Sequence, residues 1–240
     1  MEGVFFLFSG FSFFSGYGPG AGGAGVGCAP AGRVAGGLPA RGYRVVFMFG
    51  SGSVGFCGSR RLPVGSGALV SRVVGQVMAG GHPVLVGCAS GADALVVSAA
   101  VHIAPGQASV FCAFGRFGEG ALGQVSNVAG VMAAASSGVS VQWWAGGGQS
   151  VPPRARLSRR TLSMVGAASA GLAAFFGSPS SRGTALACRH AVARSLPVAA
   201  FPLGFPGSQL PALGAGHWVP CQRGGVWSAA WHWQREKQLF

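Results

Sequence analysis

The chain has 240 residues, enough for one α/β-sized domain and too few for two large ones. Hydrophobic residues make up 50% and charged residues 9%, which excludes the composition of a disordered protein for most of the chain. The net charge of +13 comes almost entirely from arginine and favours a polyanionic partner without naming one. The preference for arginine over lysine has two interpretations, suitability for phosphate groups or codon bias in a GC-rich gene, and codon bias does not account for the excess of positive charge.

The six cysteines form no Cys-x-x-Cys pair and no zinc-type spacing, which predicts reduced thiols, no metal site and a cytoplasmic protein. Cys57, Cys88 and Cys112 lie at or near the ends of predicted strands, where a small apolar side chain fits. The apolar segment 4–14 has no basic region before it and no clear cleavage site after it, and it is too short to span a bilayer. We therefore expect no secretion and no membrane partner.

Residues 1–53 are predicted to be a disordered leader or a wrongly extended start. Gly, Ala and Pro dominate from residue 15 to residue 53 without a sustained period, and such a segment cannot bury enough side chain to offset its entropy. Met48, just before the regular pattern begins, is an alternative start.

From Val54 onward, short apolar runs alternate with longer amphipathic runs, which predicts an α/β fold with a mostly parallel sheet and helices on both faces. The predicted strands cover residues 54–57, 83–87, 108–113, 138–143, 171–176 and 197–201. The predicted helices cover residues 66–80, 92–102, 121–136, 155–168 and 183–195.

After Gly204 the alternation stops, and residues 205–240 are predicted to be an irregular tail rich in proline and glycine. The tail combines tryptophan with arginine. Its indoles have two interpretations, stacking on nucleic-acid bases or packing back onto the domain.

Ligands of open α/β sheets bind beyond the carboxyl ends of the strands, and the first loop at that edge reads "GSR". Gly58 lets the backbone approach a ligand, Ser59 supplies a hydroxyl, and Arg60 is suited to a phosphate.

The second loop, "VGCASGADA", places one of the chain's four acids behind a run of small residues. Gly87, Ala89 and Gly91 leave space beside the start of a helix. Asp93 in the first turn of that helix has two interpretations: it caps the helix, or it accepts hydrogen bonds from the sugar or base of a ligand.

Two further loops lead into later helices. "PPRARLSRR" opens a helix with four arginines, and this arrangement opposes the helix dipole unless an anion is present; a solvated basic face is the alternative. "SPSSRGT" offers hydroxyls, an arginine and a glycine at a helix start, a composition that serves either a phosphate or a capped turn. The candidate ligand-binding residues in these loops are Arg154, Arg156, Ser181, Arg182, Gly183 and Thr184.

In this order, the four loops resemble the SLOG superfamily of Rossmann-like domains, which includes the DNA-processing protein A (DprA/Smf) family and the Lonely Guy phosphoribohydrolases. "VGCASGADA" is similar to the DNA-processing pattern Ser-Gly-x-Ala-x-Gly-x-Asp, and "PPRAR" to Pro-x-Arg-Asn-Arg. "GSR" resembles the family's first glycine loop, and "SSRGTA" resembles Gly-Ser-x-x-Thr-Ala or Gly-Gly-x-Gly-Thr. The resemblance covers residues 54–204 and implies a doubly wound Rossmann-like sheet of about six strands.

The sequence departs from both family patterns at specific positions. Ser90 stands where the DNA-processing pattern has an arginine, and Ala155 stands where it has an asparagine. Ala187 occupies the position of the Lonely Guy catalytic glutamate, so the resemblance supplies no catalytic residue for base release.

We therefore expect a Rossmann-like domain that binds a nucleotide or nucleotide derivative, with arginines on phosphates and Asp93 on the sugar or base. The first alternative is single-stranded DNA binding in recombination or uptake, and the second is a nucleotide phosphoribohydrolase. No further cofactor is expected, and self-association is compatible with the sequence.

Overall fold

The structure, a computed structural model, describes residues 49–236. The predicted leader up to residue 48 and the alternative start at Met48 lie outside the described residues. No helix within the described range is long and apolar enough to cross a membrane.

An eight-stranded sheet forms the centre of the domain, with the strands in the order β4-β3-β2-β1-β5-β6-β8-β7. The first six strands along the chain pair in parallel, and the last two add as an antiparallel hairpin. The strands are β1 (Val54–Gly58), β2 (Val84–Gly87), β3 (Ala108–Phe111), β4 (Ser140–Gln142), β5 (Gly171–Phe176), β6 (Val198–Pro202), β7 (Gly216–Pro220) and β8 (Trp231–Arg235).

Five α-helices connect the parallel strands and cover both faces of the sheet. They are α1 (Ser66–Ala79), α2 (Ala92–Ile103), α3 (Val128–Ser136), α4 (Pro153–Ala167) and α5 (Arg182–Ala193). The buried stripes of α1, α2 and α3 pack on one face and share a core with Phe56 and Phe175. The buried stripes of α4 and α5 pack on the other face around Leu172 and Phe176. This double cover makes the central strands apolar on both sides, and every residue of β5 is buried.

The direction of winding reverses between β1 and β5. Strand β1 pairs in parallel with β2 on one side and with β5 on the other. The crossover helix after β1 therefore lies on one face and the helix after β5 on the opposite face, so their loops diverge and leave a crevice at the carboxyl ends of these two strands. The fold is a doubly wound α/β sheet, as predicted, with more strands than the expected six.

The prediction of an irregular tail is wrong for the two segments that form β7 and β8. Residues Ala199 and Ala200 of β6 pair with His232 and Trp231 of β8. Trp227, in the turn before β8, is only 4% exposed and contacts Phe201. The tail therefore covers the outer edge of β6, because an uncovered parallel strand would leave its N–H and C=O groups without partners.

The predicted helix over 121–136 begins later, at Val128. The preceding residues hydrogen-bond to the loop after β2 instead of continuing the helix. The Ser90 N–H donates to the Val125 carbonyl at 2.9 Å, and the Asn127 N–H donates to the Cys88 carbonyl at 2.9 Å. This segment thus supports the loop that carries Ala89.

Candidate anion-binding cleft

A cleft of about 590 Å³ opens at the carboxyl ends of β1 and β5, where the winding reverses. This volume falls within the range of about 300–1,000 Å³ that is common for small-molecule sites. The predicted site residues that line the cleft come from all four loops: Gly58, Arg60, Ala89, Asp93, Arg154, Arg182, Gly183 and Thr184. The fold thus brings together segments that lie far apart in the sequence.

Three exposed arginines form the rim of the cleft. Arg60 follows β1, Arg154 lies in the first turn of α4, and Arg182 begins α5. None of the three has a carboxylate partner within residues 49–236, where the single salt bridge joins two other residues. Uncompensated arginines beside a concave surface raise the local positive potential and attract anions.

The first turn of α5 faces the same space. As at any helix start, its leading N–H groups lack intrahelical partners. No described side chain caps the helix and bonds to these groups instead. A Cβ placed on Gly183 would meet nothing within 4 Å, although this glycine lines the cleft. The turn therefore offers N–H groups, the positive end of the helix dipole and room for an anion to approach the backbone.

Ser59 and Ser181 connect the two loops that flank this turn. Their hydroxyls are 2.6 Å apart, and the Gly177 N–H donates to the Ser59 hydroxyl at 2.8 Å. Both serines line a smaller pocket of about 330 Å³ beside the cleft, together with Arg60 and Arg182. Their hydroxyls fix the distance between the β1 and β5 loops, so the rim is held by hydrogen bonds within the protein.

A buried ion pair forms the floor of the cleft. Nη1 of Arg160 donates to Oδ2 of Asp93 at 3.2 Å, and the side chains of both residues are 6% exposed. The Ala89 N–H donates to the same oxygen at 3.2 Å. Gly87 makes this arrangement possible, because a Cβ there would lie 1.5 Å from Arg160 Nη1 and 2.3 Å from Asp93 Oδ2.

These contacts give Asp93 a structural role that neither sequence interpretation contained. Helix α2 has no side-chain cap, so Asp93 does not cap it, and its carboxylate instead ties the preceding loop to α4. Burial raises the pKa of Asp93, while the charge of Arg160 and the Ala89 N–H act in the opposite direction. Contact between Asp93 and a ligand stays a prediction, since Asp93 also lines the cleft.

Two cysteines lie behind the floor, at the ends of neighbouring strands. Cys88 and Cys112 directly follow the paired residues Gly87 and Phe111, and both side chains are fully buried. A hydrogen bond from Cys112 is the main cause that lowers the pKa of Cys88 to about 7, and the Arg160 charge adds to it. The same hydrogen bond raises the pKa of Cys112.

Arg156, predicted to bind phosphate, lies away from the cleft. Its Nη2 donates to the Gly120 carbonyl at 2.6 Å, Nη1 donates to the Gly148 carbonyl at 3.5 Å, and the guanidinium stacks 5.1 Å from the Trp144 ring centroid. The side chain is buried, with 3% of the residue exposed. The predicted phosphate contact of Arg156 is therefore replaced by two loop carbonyls, and Arg154 is the arginine of "PPRAR" that faces the cleft.

Two predicted ligand-binding glycines instead serve packing inside the protein. A Cβ on Gly58 would lie 2.5 Å from the Ala92 Cβ, so this glycine lets α2 approach β1. A Cβ on Gly91, which has a φ of 78°, would lie 2.3 Å from the Arg60 carbonyl oxygen. Neighbouring protein atoms explain the small size of both residues, and Gly58 also lines the cleft.

The sequence interpretation did not assign Arg160 to the site. Arg156, Arg160 and Met164 are spaced four residues apart and lie on the buried stripe of α4. An arginine on an apolar stripe has to find an acceptor inside the protein, and the chain has only four acids to offer. That spacing was the signal available in the sequence. The cleft is also lined by Leu157 and Ser158, which lie within "PPRARLSRR" but were not assigned to the site, and by Cys57, Thr161 and Leu186, which no loop motif indicated.

No protein-family model matches the sequence, and no curated protein matches it at a significant level. Among solved structures, the chain is similar to the X-ray structure of DNA processing protein A (DprA) from Streptococcus pneumoniae, with a TM-score of 0.49 and 17% sequence identity. The match covers 66% of this chain and 52% of that chain, so this chain spans about half of the DprA chain. A similarity of this size gives no information on ligands, which leaves the cleft itself as the guide to function.

Proposed function

We propose that the cleft binds a nucleotide or nucleotide derivative, with its phosphate on the rim arginines and the first turn of α5. The observation that carries this proposal is the coincidence of an uncompensated arginine rim with the switch point of a doubly wound sheet. Ligands of such sheets bind at that point, and phosphates favour helix starts. Arg60 and Arg182 are the proposed phosphate contacts, and Arg154 extends the rim along α4.

Release of a base is not part of this proposal. Position 187, where the resemblance would require a catalytic glutamate, holds a fully buried alanine. The carboxylate that lines the cleft, Asp93, is already bonded to Arg160 and to the Ala89 N–H. The proposal is therefore limited to binding.

Calorimetric titration with nucleoside monophosphates, nucleoside diphosphates and inorganic pyrophosphate tests the proposal. Arg182→Gln is expected to weaken the binding of each phosphate ligand by roughly 10-fold to 100-fold, the effect of losing a hydrogen bond between charged groups. Arg72→Gln, which removes an exposed arginine from α1, is the matched control and should leave affinity unchanged. Absence of binding across the panel at millimolar concentration would sink the proposal.

A second candidate function is binding of single-stranded DNA, and the distribution of positive charge favours it. Arg60 and Arg61 line the smaller pocket and a further surface groove beside the start of α1, so the basic surface extends beyond one nucleotide. Phe117, 81% exposed on the loop after β3, offers a ring on which a base can stack.

Titration of a labelled oligonucleotide at several salt concentrations tests this candidate. We expect affinity to fall steeply as salt rises, because each neutralised phosphate releases a counterion. Phe117→Ala should bind the oligonucleotide more weakly than wild type at every salt concentration, with the same dependence of affinity on salt. Affinity that is weak and indifferent to salt would count against DNA as the ligand.

A further inference from the structure

Arg160 uses only part of its hydrogen-bonding capacity. Its Nη1 is bonded to Asp93, while Nε is buried and no acceptor in the described part of the chain is bonded to Nε or Nη2. The residue is only 5% exposed, yet it lines the cleft. Burying a guanidinium with unused donors is costly, and a ligand acceptor at the floor would offset part of this cost.

Asp93 provides the complementary acceptor beside these donors. Both protein contacts of its carboxylate go to Oδ2, and within residues 49–236 no donor is bonded to Oδ1. The floor therefore presents an acceptor and donors side by side. This pattern matches the edge of a nucleobase or a pair of sugar hydroxyls, each of which combines donors with acceptors.

The charges of floor and rim differ. The Asp93–Arg160 pair is neutral as a unit. On the rim, Arg60, Arg154 and Arg182 carry positive charge and have no carboxylate partner among residues 49–236. A second phosphate on the floor would lie against the Asp93 carboxylate and would be repelled. The arrangement fits a molecule with one anionic end and an uncharged hydrogen-bonding body.

Apolar side chains also line the cleft. Cys57, Leu157 and Leu186 line it together with Asp93 and Arg160. An apolar wall around a few directed polar groups is the usual composition of a site for a small organic ligand. Inorganic phosphate or pyrophosphate would leave this wall without contacts.

We infer that the Asp93–Arg160 pair recognises the base or sugar of the ligand, and that the cleft selects nucleoside monophosphates over pyrophosphate and polyphosphates. This inference rests on the proposed nucleotide binding and adds a specificity-determining residue, Arg160, to it. The rim arginines attract the phosphate, and the Asp93–Arg160 pair on the floor discriminates between ligands by their base or sugar.

The test compares four nucleoside monophosphates with pyrophosphate by calorimetry on the full chain and on two variants. Arg160→Gln is expected to weaken the preferred monophosphate by roughly 10-fold to 100-fold and to change pyrophosphate affinity by less than about 3-fold. Arg182→Gln should weaken both ligands. Arg159→Gln, an exposed neighbour on α4 that lies outside the cleft lining, is the control and should change neither.

The outcomes separate this inference from the proposed function. Binding of neither ligand by the wild-type chain would overturn both. If pyrophosphate bound as tightly as the nucleoside monophosphates or more tightly, the cleft would still bind anions, but the inferred selectivity would be overturned. Equal weakening of both ligands by Arg160→Gln would likewise overturn the role of Arg160.

A second variant guards against misfolding. Arg160→Gln leaves the buried Asp93 charge without its partner, whereas the double variant Asp93→Asn/Arg160→Gln removes both charges. Thermal melting confirms folding of each protein before titration. The folded double variant should show the same selective loss of monophosphate affinity, and wild-type affinity in that variant would contradict the inference.

Discussion

At the scale of single residues, Gly87 decides whether the floor of the cleft can form. Three side-chain or backbone groups converge next to it: the Arg160 guanidinium, the Asp93 carboxylate and the Ala89 N–H. A buried ion pair is worth little compared with well-packed apolar residues, but breaking it leaves a charge in a medium that solvates it poorly. The absence of a side chain at position 87 is therefore a condition for folding as well as for the site.

Gly87→Ala is expected to lower the free energy of unfolding by about 3–5 kcal/mol, since its methyl group would displace Arg160 from Asp93. Urea denaturation measures this change. Gly224→Ala is the matched control, because a Cβ there meets nothing within 4 Å and the backbone has a φ of −72°. Equal stability of the two variants would contradict the packing that we describe.

Cys88 gives the domain a pH dependence near neutrality. Its pKa of about 7 lies below the ordinary thiol value of 9.0, so the folded state releases this proton more readily than the unfolded state. An acid with a depressed pKa adds stability above its unfolded pKa and loses it as pH falls through the folded pKa. The contribution of Cys88 to stability should therefore rise between pH 7 and pH 9.

Denaturation at several pH values, with Cys88→Ala as the comparison, measures this contribution. The difference in stability between wild type and variant should grow from pH 7 to pH 9. Cys221→Ala, at another buried free cysteine, is the control for the loss of a buried thiol. A constant offset for Cys88→Ala would show that Cys88 does not titrate in this window.

At the scale of elements, the first turn of α5 contains a glycine that lowers stability and that no packing contact requires. Gly183 is the second residue of a helix, where alanine is favoured by roughly 0.5–1 kcal/mol, and no neighbouring atom forbids a methyl group. A glycine in such a position costs stability without a structural reason. The open space in front of it is where we place the phosphate.

Gly183→Ala is accordingly expected to raise the free energy of unfolding by roughly 0.5–1 kcal/mol and to weaken pyrophosphate binding several-fold. Thermal melting and calorimetry measure the two effects on the same sample. Gly67→Ala is a matched control, since Gly67 is also the second residue of a helix and its Cβ would lie an ordinary 3.7 Å from Leu95. The control should gain stability and keep its pyrophosphate affinity. If Gly183→Ala also kept its affinity, the phosphate could not bind at this turn.

At the scale of the whole molecule, the tail belongs to the folded domain. The hairpin of β7 and β8 extends the sheet beyond β6, and Trp227 packs against Phe49 and Phe201. A large aromatic side chain buries more apolar surface than any other residue type, so its removal exposes a substantial part of the core. Trp227 therefore serves packing, which was one of the two interpretations of the tail.

A chain that ends at Gly204 is expected to lose cooperative unfolding, because β6 would become an uncovered edge and Phe201 would face water. Near-ultraviolet circular dichroism and thermal melting measure this. A chain that ends at Glu236, which keeps the hairpin, is the control for truncation. Cooperative melting of the shorter chain would show that the parallel strands alone form a stable unit.

The sequence by itself determined the α/β alternation, the place of the six parallel strands and the carboxyl-edge loops that meet at the cleft. Those features follow from local causes: apolar runs of strand length, amphipathic runs of helix length, and small or polar residues at turns. The start of α3 was misplaced because residues 121–127 form hydrogen bonds to the loop after β2, a partner that no local pattern encodes.

Only the tertiary structure decided which arginine faces the ligand and which supports the fold. Arg154, Arg156 and Arg160 share one basic segment, yet one lines the rim, one binds loop carbonyls and one pairs with an acid 67 residues away. A buried charge is stable only where the fold supplies a partner, and those partners come from distant strands and loops. The hairpin of β7 and β8 depends on distant contacts in the same way, because β8 forms a strand by pairing with β6.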